Sequence, residues 1–293
     1  MKKNSFFALM FLISISALAQ LKGIVKDSIT GKPISYVNIS VQNENLGTTS
    51  EENGEFTIDV TDKSKRLIFS ALGYEKKTIN ISKLSEVKLK PTAFALDEVI
   101  IVKKYETRQK EIGIEENTIF EAFDNGPRID VKFFPYFPSY KKTKFIKQVV
   151  IFTDSKIDEA TFKIHFYSLD SNGFPGDELL GKDFIVSVSK GINETKFNMM
   201  KFNLRMPKQG IFVGFEKLMV TKNKIEKTIT DAATNTIHIK TTYFPFVLYN
   251  SVKKDFAFAL SGGKWIRKGK QNANVPTEKI TVYEPAINLI LTN

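Results

Sequence analysis

The stretch TGKPISYVNISVQNENLGTTSEENGEF, residues 30–56, decides the fold. Two glycine-bearing turns, Gly31-Lys32-Pro33 and Glu52-Asn53-Gly54, bracket a run in which Val37, Ile39 and Val41 alternate with polar residues. Alternation with a period of two sends one set of side chains to one face, so residues 35–42 are expected as a half-buried strand. Glycine supplies the positive φ of tight turns, and proline pre-sets φ for the chain that follows. Asn-Gly is a strong hairpin signal. Residues 51–54 are therefore expected to form a hairpin turn between a short strand at 48–50 and one carrying Phe56, Ile58 and Val60 inward. The turns are frequent because the strands are short.

Working outward, residues 21–26, 66–72, 76–81 and 87–89 complete a set of seven short strands with turn chemistry between them. That spacing predicts a β-sandwich. Residues 66–72 are more continuously apolar, as for a strand buried on both faces.

The segments GIVKDSITGKPISYVNISV, LGTTSEENGEFTIDV and LIFSALGYEKKTINI, taken in order, resemble the carboxypeptidase-regulatory-like domain, a transthyretin-like (prealbumin-like) sandwich. The resemblance implies a seven-stranded fold over residues 20–102, with Phe56 against Val37 and Ile39 and an aromatic cover from Tyr74. TAFALDEVIIV, residues 92–102, is similar to the segment that follows this domain in TonB-dependent receptors of Bacteroidetes. Fewer than two hundred residues remain after it, too few for the plug and barrel of such a receptor. The resemblance implies a bacteroidete-like cell envelope and an edge strand at residues 99–102.

The chain opens with Lys2 and Lys3, an apolar run over residues 6–15, and Ala17-Leu18-Ala19. A charged head, a short hydrophobic middle and a small-x-small site predict a signal peptide over 1–19 and an exported protein, periplasmic or at the outer surface. The apolar run is shorter than the roughly 20 residues a spanning helix needs, and no membrane span is expected in the mature chain. Without cysteine, disulfides, thiol catalysis and thiolate metal sites are excluded. The net charge is +11, and +9 once Lys2 and Lys3 leave with the signal. The lysines are scattered rather than interleaved with aromatics, and nucleic acid is not expected as a partner.

Residues 103–127 read as a charged linker, and 128–293 as a second, larger sandwich of jelly-roll type. There Phe162, Ile164 and Phe166 alternate with polar neighbours, as do Phe184, Val186 and Val188, and Met200, Phe202 and Leu204. The fold class expected is therefore all-β, two sandwiches in tandem.

No catalytic residue, metal site or cofactor is expected. His165 and His238 lie at polar positions of alternating strands, and neither HFYS nor HIKT carries the nearby Glu of a zinc carboxypeptidase. Both are expected on the surface. Asp170-Ser171-Asn172-Gly173 is a turn rather than a calcium loop, because the further oxygen ligands fall out of register. Asp154, Asp158, Glu159, Asp177 and Glu178 are the carboxylates a glycoside hydrolase would have to draw on, but all sit in loop-like contexts. Trp265, the single tryptophan, follows a Gly-Gly turn among cations; with Arg267 and Tyr243 it is the candidate ligand-binding set, a ring platform for sugars. The expected function is a non-enzymatic envelope protein that binds or assembles, with an envelope protein or a glycan as partner; carbohydrate binding by the second sandwich is the alternative.

Overall fold

The computed structural model describes residues 20–92, 107–115, 120–231, 236–254, 256–269 and 280–293. The expected signal peptide and the expected edge strand at 99–102 lie outside these residues.

The N-terminal sandwich is built from β1 (Leu21–Asp27), β2 (Asn38–Val41), β3 (Gly47–Thr49), β4 (Glu55–Ile58), β5 (Arg66–Ser70), β6 (Lys77–Asn80) and β7 (Glu86–Leu89). They form two sheets, β4-β1-β7 and β3-β2-β5-β6, in which only β1 and β7 run parallel. Between the sheets lie Val37, Ile39, Val41, Phe56, Ile58 and Val60, the alternating set read from the sequence, together with Val25, Leu67 and Phe69. Phe56 meets Phe69 edge-on at 5.6 Å.

Two details differ from the expected strands. Residues 51–54 do turn at Gly54 (φ +80°), with Gly54 N–H donating to the Glu51 carbonyl at 2.9 Å. Yet β3 pairs with β2 and β4 with β1, so this turn crosses between sheets and is no hairpin. The second strand starts only at Asn38, because Tyr36 adopts φ +54° and breaks the extended run.

The second sandwich begins earlier than its sequence suggests. Within the stretch expected as a linker, β8 (Gln109–Ile112) and β9 (Phe120–Ala122) are strands; β10 (Ile129–Phe134), β11 (Phe145–Ser155), β12 (Ala160–Leu169), β13 (Pro175–Glu178), β14 (Phe184–Val188), β15 (Gly191–Asn198) and β16 (Ile211–Lys217) follow. The chain continues through β17 (Lys224–Thr230), β18 (Ile237–Tyr243), β19 (Phe246–Lys254), β20 (Phe256–Ser261), β21 (Lys264–Gly269), β22 (Ile280–Pro285) and β23 (Ile287–Thr292). One sheet runs β13-β12-β16-β10-β20-β21 with β14 also on β12. The other runs β22-β19-β11-β23-β8, with β15 on β11 and β9 on β19. β17 and β18 pair only with each other among the described residues, as a separate ribbon.

Phe162, Ile164 and Phe166 of β12 and Ile211, Val213 and Phe215 of β16 face Val149, Ile151, Leu289 and Leu291 across the core. Residues 200–204 are not a strand: Met200–Phe202 is one turn of 3-10 helix closed by Asn203 at φ +52°. Asp170 to Gly173 forms the expected turn, the Asp170 carboxylate accepting from the N–H groups of Asn172 (2.8 Å) and Phe174 (2.7 Å).

The two sandwiches meet sheet to sheet. Leu67 and Phe69 of β5 point into the first core, while Ile68 faces the turn Gly262-Gly263 of the second sandwich. This explains why Ile68, on the outward face between exposed Arg66 and Ser70, is apolar and buried. Asn43 N–H donates to the Gly262 carbonyl at 3.1 Å, Lys76 Nζ to the Gly263 carbonyl at 2.8 Å, and Met219 N–H to Thr49 Oγ1 at 3.1 Å.

Candidate functional site between the sandwiches

The site follows from the pleat of β12. Its even neighbours fill the core, so Lys163, His165 and Tyr167 project from the opposite face of the sheet. On the adjacent strand Glu216 lies opposite Lys163, Gly214 opposite His165 and Phe212 opposite Tyr167. The bare Gly214 leaves room for the imidazole: a Cβ there would sit 3.3 Å from that of His165 and 3.0 Å from Val131. On the other side of β12, β13 places Glu178 opposite Tyr167.

The N-terminal sandwich covers this polar face. His165 Nδ1 bonds Glu178 Oε2 at 2.9 Å and Nε2 bonds Glu216 Oε2 at 2.8 Å. Glu178 Oε1 accepts from the Phe166 N–H at 2.7 Å, and Glu216 Oε1 from Asn38 Nδ2 of β2 at 2.6 Å. Lys163 Nζ donates to the Tyr36 carbonyl at 2.8 Å and pairs with Asp183 at 3.0 Å. The positive φ of Tyr36 thus turns its carbonyl onto a lysine of the other sandwich. Only 12% of the His165 side chain and 3% of that of Glu216 remain exposed. Around them runs a cleft of about 560 Å³ that also borders Ser40, Ser70, Lys76 and Asp177.

Burial opposes charge on His165, but the attraction and hydrogen bonds of Glu178 and Glu216 outweigh it and raise its pKa to about 10. Burial likewise raises the Glu216 carboxyl, yet bonds from His165 and the charge of Lys163 bring it down to about 2. Burial, with the charges of Glu178, Glu216 and Asp183, holds the Tyr167 phenol well above its ordinary range. His165 is therefore an imidazolium with both N–H groups donating to carboxylates. It has no lone pair left to take a proton, so it is not poised as a general base. The bonds of His165 tie β13, β12 and β16 of one sheet together, while Glu216 to Asn38 and Lys163 to the Tyr36 carbonyl reach the other sandwich.

His165 is thus not the surface histidine expected. Its strand face is polar because it meets another polar protein face, not because it meets water. His238 does lie exposed, on β18, bonded to Thr236. Of the five carboxylates, Glu178 joins the buried cluster and Asp177 borders the same cleft. Asp158 accepts from Lys190 N–H beside the turn between β11 and β12, Glu159 occupies that turn, and Asp154 lies on β11.

Trp265 and Arg267 share one face of β21, two residues apart, whereas Tyr243 ends β18 on the ribbon. The indole packs edge-on against Tyr167 at 5.2 Å, and the Arg267 guanidinium lies 4.0 Å over Phe256. Burial raises the Tyr243 phenol pKa. Lys163, Asp183, Glu216 and Asn38 were not singled out from the sequence. The available signal was Glu216-Lys217 embedded in the apolar run GIFVGFEKLMV, since charge inside a strand buried throughout needs a partner. Among the described residues no group of three or more His, Asp or Glu side chains is arranged to hold a metal.

The N-terminal sandwich is a carboxypeptidase-regulatory-like domain. The family profile described as CarboxypepD_reg-like domain matches residues 21–101. No curated protein matches the chain. A solved structure of infectious bursal disease virus Gt strain is similar over 91% of this chain at 12% identity and a TM-score of 0.23, a likeness that carries no argument. This chain spans 62% of that viral chain.

Proposed function

We propose that the protein is an exported, non-enzymatic component of the cell envelope whose two docked sandwiches present one rigid binding or assembly surface. The observation that carries this reading is the His165 cluster. Its titratable groups are spent on one another and, through Glu216 and Lys163, on the first sandwich, and the one histidine in a cleft has both nitrogens engaged. Export is supported by the charged, apolar and small-residue order of residues 1–19. Among the described residues no helix is long and apolar enough to cross a membrane.

Two measurements test the proposal. Fractionation should place the processed chain, beginning near Gln20, outside the cytoplasm; an unprocessed cytoplasmic chain would refute export. Glycoside, ester and peptide substrates should show no turnover above a Glu178→Gln control, and turnover lost specifically in that control would make the protein an enzyme. The preferred partner is an envelope protein or a glycan, to be separated by crosslinking in envelope fractions.

A further inference from the structure

The β17–β18 ribbon stands away from both large sheets and roofs a second cleft, about 400 Å³, whose other wall is the sheet containing β9, β11 and β19. This volume lies within the range of small-molecule sites. Its surface has two distinct parts. Ile225 of the ribbon with Phe244 and Phe246 makes an apolar lining, joined by Ile229, 45% exposed. Lys156, Lys227 and Lys240 make a cationic edge.

The lysines are placed in an unfavourable way for an empty cleft. Lys227 and Lys240 are direct cross-strand partners, and like charges in that position destabilise a pair of strands. A two-stranded ribbon is marginal to begin with, so the repulsion falls where it is least tolerated. None of the three ammonium groups has a carboxylate within 4 Å among the described residues. Two aspartates also border the cleft: Asp124 is bonded to Lys217 at 2.6 Å, and Asp154 leaves the balance positive. An anion between Lys227 and Lys240 removes the repulsion, and charge-assisted hydrogen bonds to it are the stronger kind.

We propose that the cleft beneath the β17–β18 ribbon binds an anionic amphiphile, its head group between Lys227 and Lys240 beside Lys156 and its hydrocarbon chain on Ile225, Phe244 and Phe246. The shared chemistry is a phosphate or carboxylate joined to an acyl chain, whether that molecule is free or part of a bilayer.

Titration of the protein with dodecyl phosphate, below its micelle concentration, tests this against dodecanol and inorganic phosphate. Dodecyl phosphate should saturate one site at least about tenfold more tightly than either fragment. The Lys227→Gln/Lys240→Gln variant should lose at least about tenfold in affinity while melting no lower than the parent without ligand, because the repulsion has gone. Sedimentation with phosphatidylglycerol vesicles, lost in the double variant, identifies a bilayer source; binding of monomer alone identifies a free amphiphile. Absence of saturable binding, equal affinity in the folded double variant, or equal affinity for inorganic phosphate overturns the proposal.

Discussion

The outer faces of two strands, β12 and β18, look alike in sequence and meet opposite fates. On β12, Lys163, His165 and Tyr167 alternate with phenylalanine and isoleucine; on β18, His238 and Lys240 alternate with isoleucine. The first polar row is buried under the N-terminal sandwich, with each nitrogen of His165 and the Lys163 ammonium paired. On the second strand even the isoleucines are exposed, Ile237 at 70% and Ile239 at 69%. Alternation reports that a strand has two different faces. It does not report what covers each of them.

The largest effect should come from breaking the buried row. Glu216→Ala leaves His165 and Asn38 without a shared partner inside the interface, and removing one member of a buried pair costs about 3–5 kcal/mol. Denaturant unfolding measures it; a loss below about 1 kcal/mol would place His165 with the exposed kind after all. Alkali should dismantle the same contact. The folded-state pKa of His165, about 10, lies above its unfolded value near 6.5, so the stabilisation is complete below about pH 6.5 and lost as pH rises toward 10. Stability curves across that range should fall, and the fall should vanish in His165→Gln; a flat curve would contradict the buried imidazolium.

A smaller loss belongs to the crossing turn. Gly54→Ala puts a side chain at φ +80° and 2.7 Å from the Val25 carbonyl, and the left-handed conformation alone costs roughly 1–2 kcal/mol. An unchanged melting midpoint would mean the turn adapts freely. The smallest effect is on the face of β21. Trp265→Leu removes the edge-on contact with Tyr167, worth about 0.5–1.5 kcal/mol beyond area burial, and should leave glycan binding unaltered if the ring serves packing. Glycan capture abolished in that variant, with its fold intact, would give the indole the ligand role that its sequence context suggests.

How much was legible follows from the same contrast. The first sandwich was readable because its seven strands are each punctuated by turn residues, and Val37, Ile39, Val41, Phe56 and Ile58 all reach its core. Glu51 to Gly54 was readable as a turn, but not as a crossing, since the same Asn-Gly chemistry serves either connection. β8 was hidden because Gln109-Lys110-Glu111-Ile112 pairs along the sheet margin with only Ile112 buried, so charge density masks the strand. The site was hidden for a stronger reason. Asn38 and Glu216 are 178 positions apart, and only the docking of two sheets makes a polar residue on one the partner of a carboxylate on the other.

The turn Gly262-Gly263 carries a consequence for motion in solution. Both glycines are at positive φ, and Ile68 is seated where a side chain on Gly263 would have to go, so the second sandwich grips the first closely at this turn. The halves should tumble as a single particle: amide relaxation in each should return one common rotational correlation time, and couplings from a weakly aligned sample should fit one tensor.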